Sequence, residues 1–243
     1  LRAGKGSTSA AQTFEDVPND MAFLTSLRRR VPLHARGPRG IVTLGTTAYV
    51  TGYYSDSIDQ VSLTTGESPP RPGVLSLGPT PEPDAVRMGE FHFHDASRCF
   101  QQWKSCTSCH PGVRADGLNW DLLNDGIGNP KNTKSMLLAH HTPPAMISGI
   151  RPRAEVAVRA GIKYIQFAVW PEEDAVAIDT YLKSITPVPS PYLEDGNLSD
   201  AASRGQKVFA EVGCITCHPP PFYTDMALYD MGTGTGLDQG RQW

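Results

Sequence analysis

No apolar run in this 243-residue chain approaches the ~20 residues that a membrane-spanning helix needs, so the sequence holds no span. Charge of one sign is equally scarce. The 22 Lys and Arg stand against 25 Asp and Glu for a net charge of −3, and the only basic run is Arg28-Arg29-Arg30. That balance argues against a nucleic-acid or anionic-membrane partner. The chain opens on Leu1-Arg2-Ala3-Gly4-Lys5, with neither an initiator Met nor the apolar core of a signal peptide, and reads as a processed protein or part of a longer one. Cysteine is sparse at five, few for a secreted disulfide scaffold. Gly (23) and Pro (21) are plentiful, which implies many turns but not a disordered polymer.

Four of the five cysteines form two copies of one pentapeptide, Cys106-Thr107-Ser108-Cys109-His110 and Cys214-Ile215-Thr216-Cys217-His218. C-x-x-C-H is the attachment signature of c-type haem. Two thiols add across the two vinyl groups of one porphyrin, and the adjacent His ligates the iron. A zinc ribbon also uses paired C-x-x-C, but with roughly 15–20 residues between the pairs. Here the copies begin at 106 and 214. A thioredoxin-like dithiol would not place a His after both pairs, and a C-x-x-C disulfide would be strained. Two covalent haems are therefore expected, with Cys106, Cys109, Cys214 and Cys217 as attachment points and His110 and His218 as iron ligands. Cys99 is left over and reads as a small buried hydrophobe.

Residues 1–20 read as a polar lead-in. Segments 40–45, 48–52 and 58–64 are β-like and bounded by Gly, Asp or Ser turns. Three short strands at this spacing suit one propeller blade, which cannot stand alone. Residues 67–83 are Pro-rich and read as a semi-rigid linker. Helices are expected over 84–101, 153–161, 172–185 and 199–212. The third starts after Pro171 with acidic residues at the positive end of its dipole, and the last has Ser199 as N-cap and leads directly into Cys214. The expected fold class is mainly α: two cytochrome c-like haem domains, the second incomplete, preceded by a partial β-propeller blade. The expected boundaries are 1–66 for the propeller segment, 67–83 for the linker, 84–196 for the first haem domain and 197–243 for the second.

Between Met88 and Trp243 the chain resembles the bacterial di-haem cytochrome c peroxidase superfamily, including its branch fused to YVTN β-propellers and the relatives that mature tryptophan tryptophylquinone. The residues that carry the resemblance are Phe93-His94-Asp95, both pentapeptides, Asp116-Gly117-Leu118-Asn119-Trp120, Asn129 to Thr133, Pro171-Glu172-Glu173, Arg204-Gly205 and Phe209. The segment 39–66 resembles a YVTN repeat, with Gly52 where those repeats usually carry Asn. The resemblance implies a calcium ligand at Asn132, a distal polar group at Gln166 and a residue near the first haem at His94. It departs from the family in 121–128, which has no His to cap the first haem; His92, His94, His140 and His141 are possible substitutes. Trp103, Trp120 and Trp170 could relay electrons or simply pack. Met226 and Met231 lie too near His218 to be comfortable sixth ligands, so a missing segment or second polypeptide is expected to complete that domain.

The function expected on this basis is a periplasmic or cell-surface di-haem oxidoreductase of the peroxidase kind. It would reduce hydrogen peroxide at the first haem with electrons received through the second from a small carrier, a cytochrome c or a cupredoxin, and would work as a homodimer or in a larger complex. The alternatives are a non-catalytic electron-transfer subunit of a larger assembly and the peroxide-dependent oxidation of a partner protein.

Overall fold

The computed structural model describes residues 13–17, 20, 22, 30–64, 71–122, 126, 128 and 130–241. Of the expected features, Arg28 and Arg29, residues 67–70 of the linker, 123–125 and 127 of the capping loop, and Asn129 lie outside these. The chain divides into two compact units, Leu1–Thr80 and Pro81–Trp243.

The first unit is an antiparallel sheet of four strands in sequence order, β1 (Pro38–Leu44), β2 (Thr47–Gly52), β3 (Ser57–Ser62) and β4 (Gly73–Ser76). Period-two alternation places Ala48, Val50 and Val61 together as a small core, with Val31 and Leu33 packed against it. Asp59 is fully buried, and its Oδ2 accepts from the backbone N–H groups of His34 at 2.6 Å and Ala35 at 3.2 Å. That carboxylate ties the incoming chain to the sheet. The fourth strand falls inside the segment read as a linker. It pairs with β3 from Ser57↔Ser76 to Gln60↔Gly73, and Pro72 and Pro79 flank it instead of interrupting it.

The second unit is built on two helices, α1 (Ala85–His94) and α4 (Glu172–Ser184), with two short ones between, α2 (Cys106–Cys109) and α3 (Ala154–Ala160), and α5 (Asp200–Glu211) beyond. Asp84 caps α1 by accepting from Arg87 N–H at 2.8 Å, and Ser199 caps α5 through Ala202 N–H at 3.3 Å. Two pairs of two-residue strands complete it: β5 (Asn119–Trp120) pairs with β6 (Lys131–Asn132), and β7 (Leu193–Glu194) with β8 (Asn197–Leu198). The core gathers Phe93 from α1, Val113, Val158 from α3, Ile162, and Ala175, Ile178, Tyr181 and Leu182 from α4.

Helices α1 and α4 approach so closely that a Cβ at Gly89 would lie 1.9 Å from the Ala177 carbonyl oxygen and 2.7 Å from Tyr181 Cβ. Backbone cannot swing away as a side chain can. Gly89→Ala is expected to destabilise this unit by more than about 3 kcal/mol, at the upper end of overpacking, as a lowered midpoint in urea unfolding. A midpoint near wild type would mean the helices can separate freely.

The expectation of a mainly α fold with two cytochrome domains and a propeller blade is corrected. Helix makes up 31% and strand 16% of the described structure, and the sheets do not close. Only the first pentapeptide is backed by a hydrophobic core. No described residue from 200 to 241 is buried, so the second pentapeptide sits on a helix and turns without a core of its own. The reason lies in the segments between the helices. Among the described residues from 111 to 150 no α-helix forms, and several apolar ones, Met136, Ile147 and Ile150 among them, line a cavity instead of making a helical face.

Candidate functional site

Both pentapeptides fold into the same local unit. Each begins a single helical turn closed by a backbone bond from the His to the first Cys, His110 N–H to Cys106 O at 3.0 Å and His218 N–H to Cys214 O at 3.0 Å. In each, the second Cys carbonyl then accepts from a downstream Asp, Asp116 at 3.1 Å and Asp225 at 3.0 Å. In each, the His ring nitrogen Nδ1 faces a backbone carbonyl, Arg114 O at 3.1 Å for His110 and Tyr223 O at 2.9 Å for His218. A Nδ1–H donated to a carbonyl fixes the tautomer that leaves the Nε2 lone pair for a metal. Burial pushes the His110 pKa down, which favours the neutral imidazole that ligation needs.

The first pentapeptide opens into a cavity with about 1470 Å³ of atom-free space, its mouth included. Cys106, Cys109 and His110 are on its wall. Met136, Ile147, Ile150, Val158, Ile162 and Ile165 supply much of the apolar surface. Burial raises the Cys106 thiol to about 12 and pushes Cys109 up as well. Such thiols are the opposite of the low-pKa thiolates of redox dithiols and zinc sites. A neutral thioether, by contrast, suits these surroundings, and the residues present fit a covalently held haem. The second pentapeptide is more open. Phe209 and Tyr223 pack near the His218 ring, at 6.4 Å for Phe209 to His218 and 6.0 Å for Phe209 to Tyr223. Ile215, Phe222, Met226, Tyr229 and Met231 all remain exposed.

Of the other expected site residues, the cavity collects Gln166, Asn132 and Trp120. Gln166 is 3% exposed, and neither its Oε1 nor its Nε2 has a hydrogen-bond partner. His94 does not line the cavity; its Nδ1 is 2.8 Å from Glu90 O and its ring packs on Phe93 and Tyr181. His92 is buried beside Trp170 and Asp174, His140 is held by Asp179 at 3.0 Å, and His141 stacks on Phe222. Trp170 lies under Arg98 and Trp103 under Lys104. Cys99 is buried, 4% exposed. Sequence reasoning missed Lys104, Met136 and the wall segment 145–150, whose role only the cavity reveals.

The calcium expected at Asn132 is corrected. Its side-chain amide donates to Asn119 Oδ1 at 3.4 Å across the β5–β6 pair. Among the described residues no group of three or more His, Cys, Asp or Glu side chains could hold a metal ion.

No known family pattern matches the chain. Over 172 residues it is 32% identical to hydrazine synthase subunit gamma of Kuenenia stuttgartiensis, an alignment covering 62% of this chain and 49% of that protein. The chain thus spans about half the length of the relative it matches. In structure it is similar to Kuenenia stuttgartiensis hydrazine synthase pressurised with xenon at 20 bar, with a TM-score of 0.58 and 26% identity, covering 85% of this chain and 67% of that one. Both likenesses overturn the expected place among di-haem peroxidases and their propeller-fused branch, and with it the reading of the chain as a peroxide-reducing cytochrome c peroxidase. Outside the pentapeptides, residues that carried the resemblance serve local folding here. Asp116, for one, accepts from Leu118 N–H at 3.0 Å and Trp120 Nε1–H at 2.8 Å, a turn that many proteins could share.

Proposed function

We propose that the chain is a two-haem, c-type cytochrome component of a multi-subunit complex of the hydrazine synthase kind, where it carries electrons within the assembly. The observation that carries the reading is the first pentapeptide opening, with its His tautomer fixed, onto a large apolar cavity. The name of the relative, a gamma subunit, supports the assembly. Bound haem supplies one-electron chemistry at its iron. The chain's own residues do the rest. Cys106 and Cys109 fasten one group and Cys214 and Cys217 the other. His110 and His218 present Nε2 to the irons, and Met136, Ile147 and Ile150 keep water from the first site. Among the described residues no helix is long and apolar enough to cross a membrane. Covalent haem attachment in bacteria follows export, so the compartment is the periplasm or cell surface, and a small carrier such as a cytochrome c or cupredoxin supplies electrons.

A second reading adds a ligand-binding role to the first iron. Gln166 favours it, because a buried amide with both polar atoms unsatisfied is costly unless something polar shares the cavity.

One experiment addresses both. The chain, expressed in a host that matures c-type cytochromes, is expected to keep the mass of two haems after denaturation and to show a pyridine haemochrome band. Loss of both signals defeats the proposal. An EPR spectrum of the same sample separates the readings: two low-spin irons match electron transfer alone, and a high-spin iron at the first site matches the ligand-binding role.

A further inference from the structure

The cavity beside the first pentapeptide holds a cation that no described residue neutralises. Lys104 is 5% exposed, and its Nζ has no hydrogen-bond partner. It lies 3.6 Å from the Trp103 ring centroid and 5.7 Å from that of Trp120, and it lines the cavity two positions before Cys106. Trp120 is itself fixed by the bond from its Nε1–H to Asp116 at 2.8 Å. Among the described residues, the ionisable groups that act on Lys104 are the thiols of Cys109 and Cys99, with no carboxylate.

The neighbouring cavity lysine shows what a satisfied one looks like. Lys131 Nζ donates to both oxygens of Asp238, at 3.0 and 2.9 Å. Lys134, also on the wall, is exposed to water. Lys104 has neither solution. The faces of Trp103 and Trp120 return only part of the hydration that a buried ammonium gives up. Burial accordingly pulls its pKa down. Once Cys109 is a thioether, even that thiol ceases to be a source of negative charge. A cation held this way is matched to an anion that arrives with the cavity's occupant.

We propose that Lys104 is the anion-binding residue of this cavity, and that its partner is a carboxylate of the occupant, a propionate of the haem attached at Cys106 and Cys109. The inference rests on the haem reading of the previous section and goes beyond it in naming the group that orients and electrically tunes the first haem. A carboxylate paired with an ammonium leaves less negative charge near the iron, which favours the reduced state. Lys104 is thus a positioning residue for the redox centre, and it distinguishes the first site from the second.

The test uses the full haem-loaded chain as wild type, Lys104→Gln and Lys104→Arg. Haem content is measured first. A wild type without covalent haem overturns the haem reading and this proposal with it, whereas the remaining outcomes bear on Lys104 alone. Lys104→Gln is expected to lower the equilibrium constant for reduction of the first haem about tenfold, a midpoint shift of ~59 mV for one electron, with the second haem unmoved. Lys104→Arg keeps the charge and is expected to stay within about twofold of wild type. In wild type the propionate bending band in the resonance Raman spectrum is expected to shift in D₂O, because its partner is an exchangeable N–H; this measurement needs no variant to fold. An unshifted band, or a first-haem potential unchanged in Lys104→Gln, overturns the proposal. Free carboxylate is the other source of the same chemistry. Saturable binding of acetate to the loaded wild type that disappears in Lys104→Gln would show that the propionate leaves Lys104 open, and would overturn the assignment.

Discussion

Serine at both Cys106 and Cys109 is expected to halve the covalently bound haem and to lower the stability of the second unit by roughly 3–5 kcal/mol, the range seen when a structural cross-link or metal is lost. The argument is one of packing. Cys106 lies against the main core cluster, and the cavity it faces is walled by Val158, Ile162 and Ile178, which belong to that cluster or to its helices. Without an occupant those side chains face water or collapse inward, and either costs stability. The same change at Cys214 and Cys217 provides the contrast. It is expected to remove as much haem and far less stability, because no described residue from 200 to 241 is buried. Intact mass after denaturation counts the haems, and thermal unfolding followed by circular dichroism ranks the two variants. Two retained haems in either double variant, or equal losses of stability, would contradict the assignment of the cavity to the first haem.

What could be read from the sequence divides along physical lines. The pentapeptides were legible because the chemistry of a two-thioether attachment dictates their spacing, and the structure gives both copies one fold. Helix α4 was legible from Pro171 and the acidic first turn, and it runs from Glu172 to Ser184 against an expected 172–185. Ser199 was legible as a cap and accepts from Ala202 N–H. By contrast β4 was hidden, because its partners on β3 lie across the Pro-rich segment 63–72, which carries no local strand signal. The fold class failed for a related reason. Two cytochrome domains were expected from the pentapeptides and the family resemblance, with no helical period read between 111 and 150, where several described apolar residues, Met136, Ile147 and Ile150 among them, line a cavity. Gln166 could be picked out near the site, but that both ends of its amide are buried and unpaired is a tertiary fact. Family membership was over-read from residues such as Asp116 and Asn132, which make turns and a short strand pair.

Asp179 shows the same limit and gives the second large effect. Within α4 it follows Ile178 and reads as one of the helix's polar positions, yet it is 5% exposed. Its Oδ1 accepts from His140 Nε2 at 3.0 Å, and its Oδ2 pairs with Arg159 Nη1. The His140 side chain is 2% exposed, and its Nδ1 has no partner. Asp179→Ala therefore strips His140 of its hydrogen-bonded partner in a dry place and leaves Arg159 with Glu172 and the Glu155 carbonyl. Breaking one member of a buried charged network costs about 3–5 kcal/mol, or roughly a 10 °C fall in the unfolding midpoint for a chain of this size. Asp179→Asn keeps one acceptor and should lose about half as much. Replacing all three groups together, as Asp179→Leu, His140→Leu and Arg159→Met, should recover most of the loss, since apolar side chains fill such sites without stranding a charge. Ile178 and Val158, the sequence neighbours of Asp179 and Arg159, line the cavity beside Cys106, so on the proposed haem reading the single variant should also loosen the first site while leaving haem attachment complete. A midpoint within about 1 kcal/mol of wild type for Asp179→Ala would mean that the network is solvated and the wall behind the cavity is not built on it.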